Sequence, residues 1–171
     1  ADSVECHHQC PDASPPGWLK EVQSDLMALT KLRLSILVVL TSVFGYLVAT
    51  KNTGEFAWDI LWHILLGSIL AAFGASIFNQ LMEVDSDRLM SRTSDRPLPA
   101  NRIPKPLAFI LGWLLSAFGL IHLGVMVNAV AAGMGAATLL VYLFVYTPLK
   151  RVSSLNTIVG GISGAIPPLI G

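Results

Sequence analysis

Residues 60–82 read ILWHILLGSILAAFGASIFNQLM, and residues 83–99 continue the chain as EVDSDRLMSRTSDRPLP. The first segment is long enough to cross a bilayer, because a spanning helix needs about 20 mostly apolar residues. The second segment alternates carboxylates with arginines directly beside it. This junction predicts a membrane-spanning helix with a charged site at one end.

The composition of the whole chain indicates that the bilayer is its solvent. Hydrophobic residues make up 53% of the 171 residues and charged residues only 13%, and the mean hydropathy is +0.63. A water-soluble globule of this composition would lack the polar side chains needed to cover its surface. These values therefore exclude an ordinary soluble domain.

Other apolar stretches predict further spans. One lies at residues 32–49, and the uncharged stretch 106–149 is long enough for two, at about 107–123 and 129–146, with a break between Gly124 and Asn128. A fifth span begins near Leu155. The predicted fold class is all-α, a polytopic membrane helix bundle with about five transmembrane helices.

The parts of the chain outside these spans suggest a tail and one domain. We predict a polar N-terminal tail at residues 1–28 and the N-terminal part of a transmembrane domain at 29–171. The tail lacks the apolar run of a cleavable signal peptide. Its Cys6 and Cys10, which flank two histidines, could hold a soft metal, but a disordered tail is the preferred interpretation. Because no polar segment closes the fifth span, we expect the chain to be truncated.

Basic residues are unevenly distributed around the predicted spans. Ten of the 11 lie before the first span, between the second and third, or between the fourth and fifth, and only Lys51 lies on the other side. The positive-inside rule then predicts an N-terminus and an acidic motif on the cytoplasmic side. His63 and His122 fall near the outer ends of their spans, where packing or interface roles are expected.

Three oxygen-bearing side chains recur every four residues at the end of the second span. On a helix, Asn79, Glu83 and Asp87 spread over only about 80° of one face. Two carboxylates one turn apart at the membrane edge repel each other, so we expect a bound cation. Mg²⁺ suits them because it prefers oxygen ligands and binds carboxylates together with phosphate oxygens. Asp85 lies roughly 200° from the centre of this face and ranks below the others.

Arginines follow the acids at close spacing. Arg88, Arg92 and Arg96 bring guanidinium groups suited to bidentate contacts with a diphosphate. A basic loop that sets topology and meets anionic lipid would explain the arginines, but it would not explain the aligned oxygen ligands. We therefore interpret the junction as a magnesium and diphosphate site.

A second polar set lies at the end of the fourth span. Tyr142, Tyr146 and Lys150 recur every four residues, and Arg151 and Asn156 follow them. Positive-inside topology places this loop on the same side as the acids. An aromatic belt with snorkelling cations would have the same sequence, so both interpretations stay open.

These motifs resemble the intramembrane aromatic prenyltransferase superfamily, the UbiA-type enzymes. Their signature has an Asn and two acids at four-residue spacing, then Arg-Thr and Arg-Pro-Leu, which are found here at residues 92–93 and 96–98. Within it, the haem O synthase branch is similar at TKLR (30–33), YTPLKR (146–151), NT (156–157) and AIPPLIG (165–171). Glu83 replaces the Asp of many members, and a second acidic motif would fall beyond Gly171.

The resemblance implies an enzyme that transfers a farnesyl group from farnesyl diphosphate to a vinyl group of protohaem IX (haem B), with addition of water, giving haem O. It implies Mg²⁺ as cofactor and ionisation of the diphosphate. The implied metal ligands are Asn79, Glu83 and Asp87, which with Arg92, Arg96 and Lys150 form the catalytic set; the implied substrate-binding residues are Arg33, Arg88, Tyr146, Arg151 and Asn156.

The implied partners and location follow from the same resemblance. Farnesyl diphosphate, haem B and the lipid bilayer are expected, nucleic acid is not, and association with haem A synthase or terminal oxidase assembly is an expectation. The implied location is the bacterial inner (plasma) membrane or the mitochondrial inner membrane. The alternatives are a related prenyltransferase with a quinone-precursor or chlorin acceptor, and an ion-coupled transporter, which would not need the arginine run.

Overall fold

A computed structural model describes residues 17–149 and 156–171. These residues form helices and connecting turns, with no strand among them. The helices are α1 (Gly17–Thr30), α2 (Leu32–Thr53), α3 (Trp58–Leu89), α4 (Lys105–Met126), α5 (Ala129–Leu140), α6 (Thr147–Leu149) and α7 (Asn156–Ala165). A π-helical turn at Val141–Tyr146 joins α5 to α6, and a 3₁₀ turn at Pro167–Leu169 follows α7.

Four helical segments are long and apolar enough to cross a membrane. They are Leu32–Lys51, Trp58–Leu89, Lys105–Met126 and Ala129–Leu149. The predicted all-α membrane bundle is confirmed, and so is the predicted break after the third span, where Asn128 caps α5 by accepting a hydrogen bond from the Ala131 amide at 2.6 Å.

The fifth predicted span is shorter than a transmembrane helix within the described residues. Helix α7 has only 10 residues and is followed by the 3₁₀ turn that begins at Pro167. Pro167 and Pro168 lack the amide hydrogens that an α-helix would need at these positions. The chain therefore leaves the α-helical path at the prolines, and Ile170 packs back against α4 and α5.

Helices α3 and α4 pack through small residues, as the glycine-rich spans suggest. A Cβ added at Gly119 would lie 2.6 Å from the backbone nitrogen of Ala71 and 2.8 Å from the carbonyl oxygen of Gly67. A Cβ added at Gly74 would lie 2.8 Å from the carbonyl oxygen of Gly112. The two backbones can approach this closely only because no side chains intervene.

The connection between α2 and α3 is short and lies at the end of the bundle opposite Glu83 and Asp87. Gly54 ends α2 with φ of 76°, a left-handed conformation that glycine adopts without strain. The Tyr46 hydroxyl donates to the Ala57 carbonyl at 2.8 Å. Trp58 and Trp62 are exposed here, as aromatic side chains commonly are at a membrane interface.

His63 and His122 join α3 to α4 near the same end. The His63 Nδ1 and the His122 Nε2 lie 3.2 Å apart, so one imidazole donates a hydrogen bond to the other. This contact agrees with the packing role expected from the sequence.

Helix α1 lies mostly within residues 1–28, which the sequence predicted to be a polar tail. The Gln80 amide nitrogen donates to the carbonyls of Ala28 and Leu29, both at 2.8 Å. Arg102 pairs with Asp25 at 2.8 Å. These contacts attach α1 to α3 and to the loop that follows it, whereas the Cys6 and Cys10 segment of the tail lies outside the described residues.

The orientation of this bundle in the membrane is open to a direct test. With Cys6 and Cys10 replaced by serine, an impermeant thiol reagent added to intact cells should label Glu55→Cys and leave Ser94→Cys unlabelled, because the basic loop at residues 88–105 should face the cytoplasm. Labelling of Ser94→Cys should appear only after permeabilisation. If it is labelled in intact cells, the topology is wrong.

Candidate active site

The acidic motif lies in the last part of α3, a helix that is longer than the hydrocarbon core of a bilayer is thick. At 1.5 Å per residue, the 32 residues of α3 extend about 48 Å, whereas the hydrocarbon core is about 30 Å thick. The residue exposures of Asn79, Glu83 and Asp87 are 2%, 7% and 6%. The side chain of Asp85 is 86% exposed, and its carboxylate lies 3.7 Å from the Lys105 ammonium. The predicted division of these residues between two helix faces is confirmed.

A series of hydrogen bonds connects Glu83 to Asn79 and, through Asn79, to Thr147. The Asn79 amide nitrogen donates to the Glu83 Oε2 at 3.0 Å. The Asn79 side-chain oxygen, Oδ1, in turn accepts from the Thr147 hydroxyl at 3.2 Å. The Thr147 Oγ1 also lies 2.9 Å from the backbone carbonyl oxygen of Tyr142. Thr147, which is 2% exposed, therefore connects α6 to the acidic face of α3.

The loop after α3 brings a guanidinium group to the second acid. The Arg96 Nη1 lies 2.7 Å from the Asp87 Oδ2. The Thr93 hydroxyl donates to the Asp87 carbonyl at 2.9 Å, and Pro97 and Leu98 are buried beneath the loop. These buried residues turn the loop back over the end of α3, so that Arg96 faces Asp87. Only one nitrogen of the Arg96 guanidinium contacts Asp87, and a guanidinium has five N–H donors in all.

The other predicted cations differ in their placement. Arg88 turns toward the loop, donating to the Pro99 carbonyl at 3.2 Å and to the Asn101 Oδ1 at 2.6 Å. The structure therefore does not bring Arg88 to the acids, because this arginine and the loop stabilise each other. Arg33 and Arg92 are exposed.

Three members of the second predicted set lie at or beyond the limit of the described chain. Lys150 and Arg151 lie outside the described residues, and Asn156 is the first residue of α7. Their predicted contacts with a diphosphate stay predictions.

The π-helical turn places two tyrosines at the top of α5. The Tyr142 and Tyr146 rings stack with centroids 5.3 Å apart and an interplanar angle of 16°. The Tyr142 carbonyl is linked to Glu83 through Thr147 and Asn79. Gly160 of α7 makes room for Tyr146, since a Cβ there would lie 2.9 Å from the ring. A regular helix, which the sequence predicted, would direct the residues after the turn to a different face.

A largely apolar cavity of about 450 Å³ opens beside these tyrosines. Its walls come from α2, α3, α4, α5, α7 and the final turns. Tyr142 and Tyr146 line the end near the acids, whereas Leu123, Gly135 and Ile170 line the opposite end. The volume is in the range of small-molecule sites. The cavity therefore reaches the turn that Thr147 connects to Asn79 beneath the acids.

The chain matches the UbiA prenyltransferase family over residues 38–171. It is 42% identical over 143 residues to the mitochondrial protoheme IX farnesyltransferase of Arabidopsis thaliana, an alignment that covers 84% of this chain and 33% of the relative. It is 43% identical over 150 residues to the protoheme IX farnesyltransferase of Opitutus terrae, covering 86% of this chain and 49% of the relative.

A further relative, the protoheme IX farnesyltransferase of Sorangium cellulosum, is 50% identical over 107 residues, which is 63% of this chain and 38% of the relative. The chain thus spans about half the length, or less, of the curated relatives named here. No solved structure gives a significant match.

Proposed function

The chain belongs to the UbiA prenyltransferase family, and from this membership we propose that it binds a prenyl diphosphate and transfers the prenyl group to an acceptor in the membrane. Its relatives and its four apolar helices of membrane-spanning length make it an integral membrane protein. The observation that carries the proposal is the hydrogen-bonded connection from Glu83 through Asn79 and Thr147 to the carbonyl of Tyr142, whose side chain lines the apolar cavity.

The donor set of the cluster suits a magnesium ion. Glu83 and Asp87 offer carboxylate oxygens from one face of α3, and Asn79 lies beneath them as an amide donor and acceptor. We propose that these residues hold Mg²⁺ together with oxygens of the diphosphate. When bound, the ion supplies positive charge that stabilises the diphosphate as it leaves.

Arg96 is suited to bind the same diphosphate. One nitrogen of its guanidinium contacts Asp87, and the remaining N–H groups can donate to phosphate oxygens. When the allylic carbon–oxygen bond breaks, its electron pair stays on the diphosphate, where Arg96 stabilises the growing negative charge. Arg92 lies exposed in the same loop and is a second candidate for this contact.

The tyrosine pair and the cavity are suited to the carbocation that remains. The stacked Tyr142 and Tyr146 rings line the cavity at its polar end, and aromatic faces attract cations. Largely apolar walls exclude water from the allylic cation until the acceptor attacks it. The acceptor then forms the new carbon–carbon bond.

The named relatives suggest the two substrates. Because these proteins are protoheme IX farnesyltransferases, we propose farnesyl diphosphate as the donor and protohaem IX (haem B) as the acceptor. The reaction joins the farnesyl carbon to a vinyl group, adds water to the resulting cation and releases diphosphate, giving haem O.

An assay of the complete gene product tests this function. Membranes containing it, incubated with haem B, Mg²⁺ and farnesyl diphosphate, should convert the haem to a product heavier by one farnesyl group and one hydroxyl, the gain expected when a vinyl group becomes hydroxyethylfarnesyl. Chelation of Mg²⁺ with EDTA should stop the conversion, and excess Mg²⁺ should restore it. Prenylation of a quinone precursor or chlorin, with haem B left unchanged, would show that the acceptor is different.

A further inference from the structure

The end of the cavity remote from the acids is lined by buried apolar residues. Leu123 is 0% exposed and Ile170 is 7% exposed, and both pack with Ala131 in one cluster. Gly135 is buried beside them and lines the same end. No charged side chain lines the cavity among the described residues, and the two ends differ in that Tyr142 and Tyr146 lie only at the end near the acids.

We propose that Leu123 and Gly135 form the floor of the cavity and set the length of the prenyl chain that this protein accepts. The proposal rests on the proposed function, since it assigns the cavity to the prenyl group of the diphosphate substrate. It adds two specificity-determining residues that lie far from the acids.

Distances along α3 support a limit near three isoprene units. Leu123 lies at the level of Gly67, because a Cβ added at Gly67 would be 2.6 Å from the Leu123 Cγ. Asn79, beneath the acids, is twelve residues further along the helix, or roughly 18 Å. A farnesyl backbone of about twelve carbons, each advancing about 1.3 Å when extended, is about 15 Å long. A chain one isoprene unit longer, at about 20 Å, would exceed the roughly 18 Å between the level of Asn79 and the level of Leu123.

The two floor residues can be changed in opposite directions. Leu123→Ala deepens the cavity and should raise the use of geranylgeranyl diphosphate relative to farnesyl diphosphate by about tenfold or more. Gly135→Val adds side-chain volume at the Leu123 end of the cavity and so shortens it, which should shift the preference toward geranyl diphosphate by a similar factor. A Cβ at Gly135 would lie 3.0 Å from the Leu120 Cδ2 and 3.5 Å from the Leu123 Cδ1, so the flexible end of Leu120 must move slightly to admit it.

A competition assay measures these preferences independently of protein abundance. The complete gene product and each variant receive the three diphosphates in equal amounts with haem B, and the ratio of prenylated products is read by mass. Gly133→Val is the matched control on the same helix, because a Cβ there has nothing within 4 Å. It should keep the wild-type ratio.

The outcomes separate this inference from the proposed function. If the unaltered protein forms no prenylated product from any diphosphate, the proposed function fails. If products form but Leu123→Ala and Gly135→Val keep the wild-type ratio, the floor assignment is wrong and the function stands.

A second measurement needs no variant. A farnesyl diphosphate analogue with a photoreactive group at its tail end should label peptides that contain Leu123 or Ile170 of the unaltered protein. Labelling of α1, or of the loop after α3, in place of these peptides would overturn the floor assignment.

Discussion

Replacing Glu83 or Asp87 with alanine is expected to lower the rate of prenyl transfer by about a hundredfold or more, since loss of one main electrostatic group commonly has an effect of this size. Each substitution removes a buried carboxylate from the proposed metal site. Asp87→Ala also leaves Arg96 without its 2.7 Å partner. Single-turnover rates of the complete gene product, measured with saturating farnesyl diphosphate and haem B, give the comparison.

Asp85 provides the matched control for this prediction. It is an acid on the same helix, but its side chain is 86% exposed and faces Lys105, so Asp85→Ala should change the rate far less. Asp87→Asn and Glu83→Gln keep the shape of the side chains and should still show most of the loss. Equal losses at positions 83, 85 and 87, with equal protein abundance, would refute the ligand assignment.

Gly119→Val is expected to force α3 and α4 apart, and so to destabilise the bundle and lower its activity. The first carbon of the new side chain would lie 2.6 Å from the Ala71 nitrogen and 2.8 Å from the Gly67 carbonyl oxygen. Both neighbours are backbone atoms, which cannot rotate away, so the helices must separate. Overpacking of this kind typically costs about 1–3 kcal/mol and occasionally more.

Thermal unfolding in detergent measures this effect. The melting temperature of Gly119→Val should fall by several degrees, or the protein should fail to accumulate, whereas Gly161→Val should match the unaltered protein because a Cβ at Gly161 has nothing within 4 Å. Equal melting temperatures for the two variants would mean that the helices do not approach as closely as described.

The membrane architecture and one face of the site could be predicted from sequence because both depend on local pattern. Apolar length alone predicts a span, and Gly124 and the amide residue Asn128 interrupt the apolar run and so predict the break between two spans. The shared face of Asn79, Glu83 and Asp87 follows from the angle between successive helical residues. None of these inferences requires knowledge of which helices touch.

Features that depend on contacts between distant segments were not predicted. Thr147 was not singled out, because its role arises only when α6 meets Asn79 on α3. Arg88 was assigned to the site by its spacing, but the fold of the following loop gives it Asn101 as a partner. The YTPLK segment could have drawn attention to Thr147, since a buried polar residue needs a hydrogen-bond partner.

Helix α1 and the π-helical turn were missed for a different reason. Helix α1 is stabilised by Gln80, whose amide bonds to its last carbonyls, and the sequence of residues 17–30 has too little apolar length to signal a span. The π turn at Val141–Tyr146 follows an ordinary helical pattern, and nothing in its residue types distinguishes it from an α-helix.

The length of α3 has a consequence for how substrate is found. Because the helix is about 18 Å longer than the thickness of the hydrocarbon core, we expect its acids to lie at the level of the lipid phosphates. A prenyl diphosphate dissolved in the bilayer already holds its own phosphates at this level, so it meets the site by lateral diffusion in two dimensions. We therefore expect the apparent affinity to follow the mole fraction of substrate among the lipids rather than its concentration in water. We also expect phospholipid head groups to compete with the substrate for Arg96.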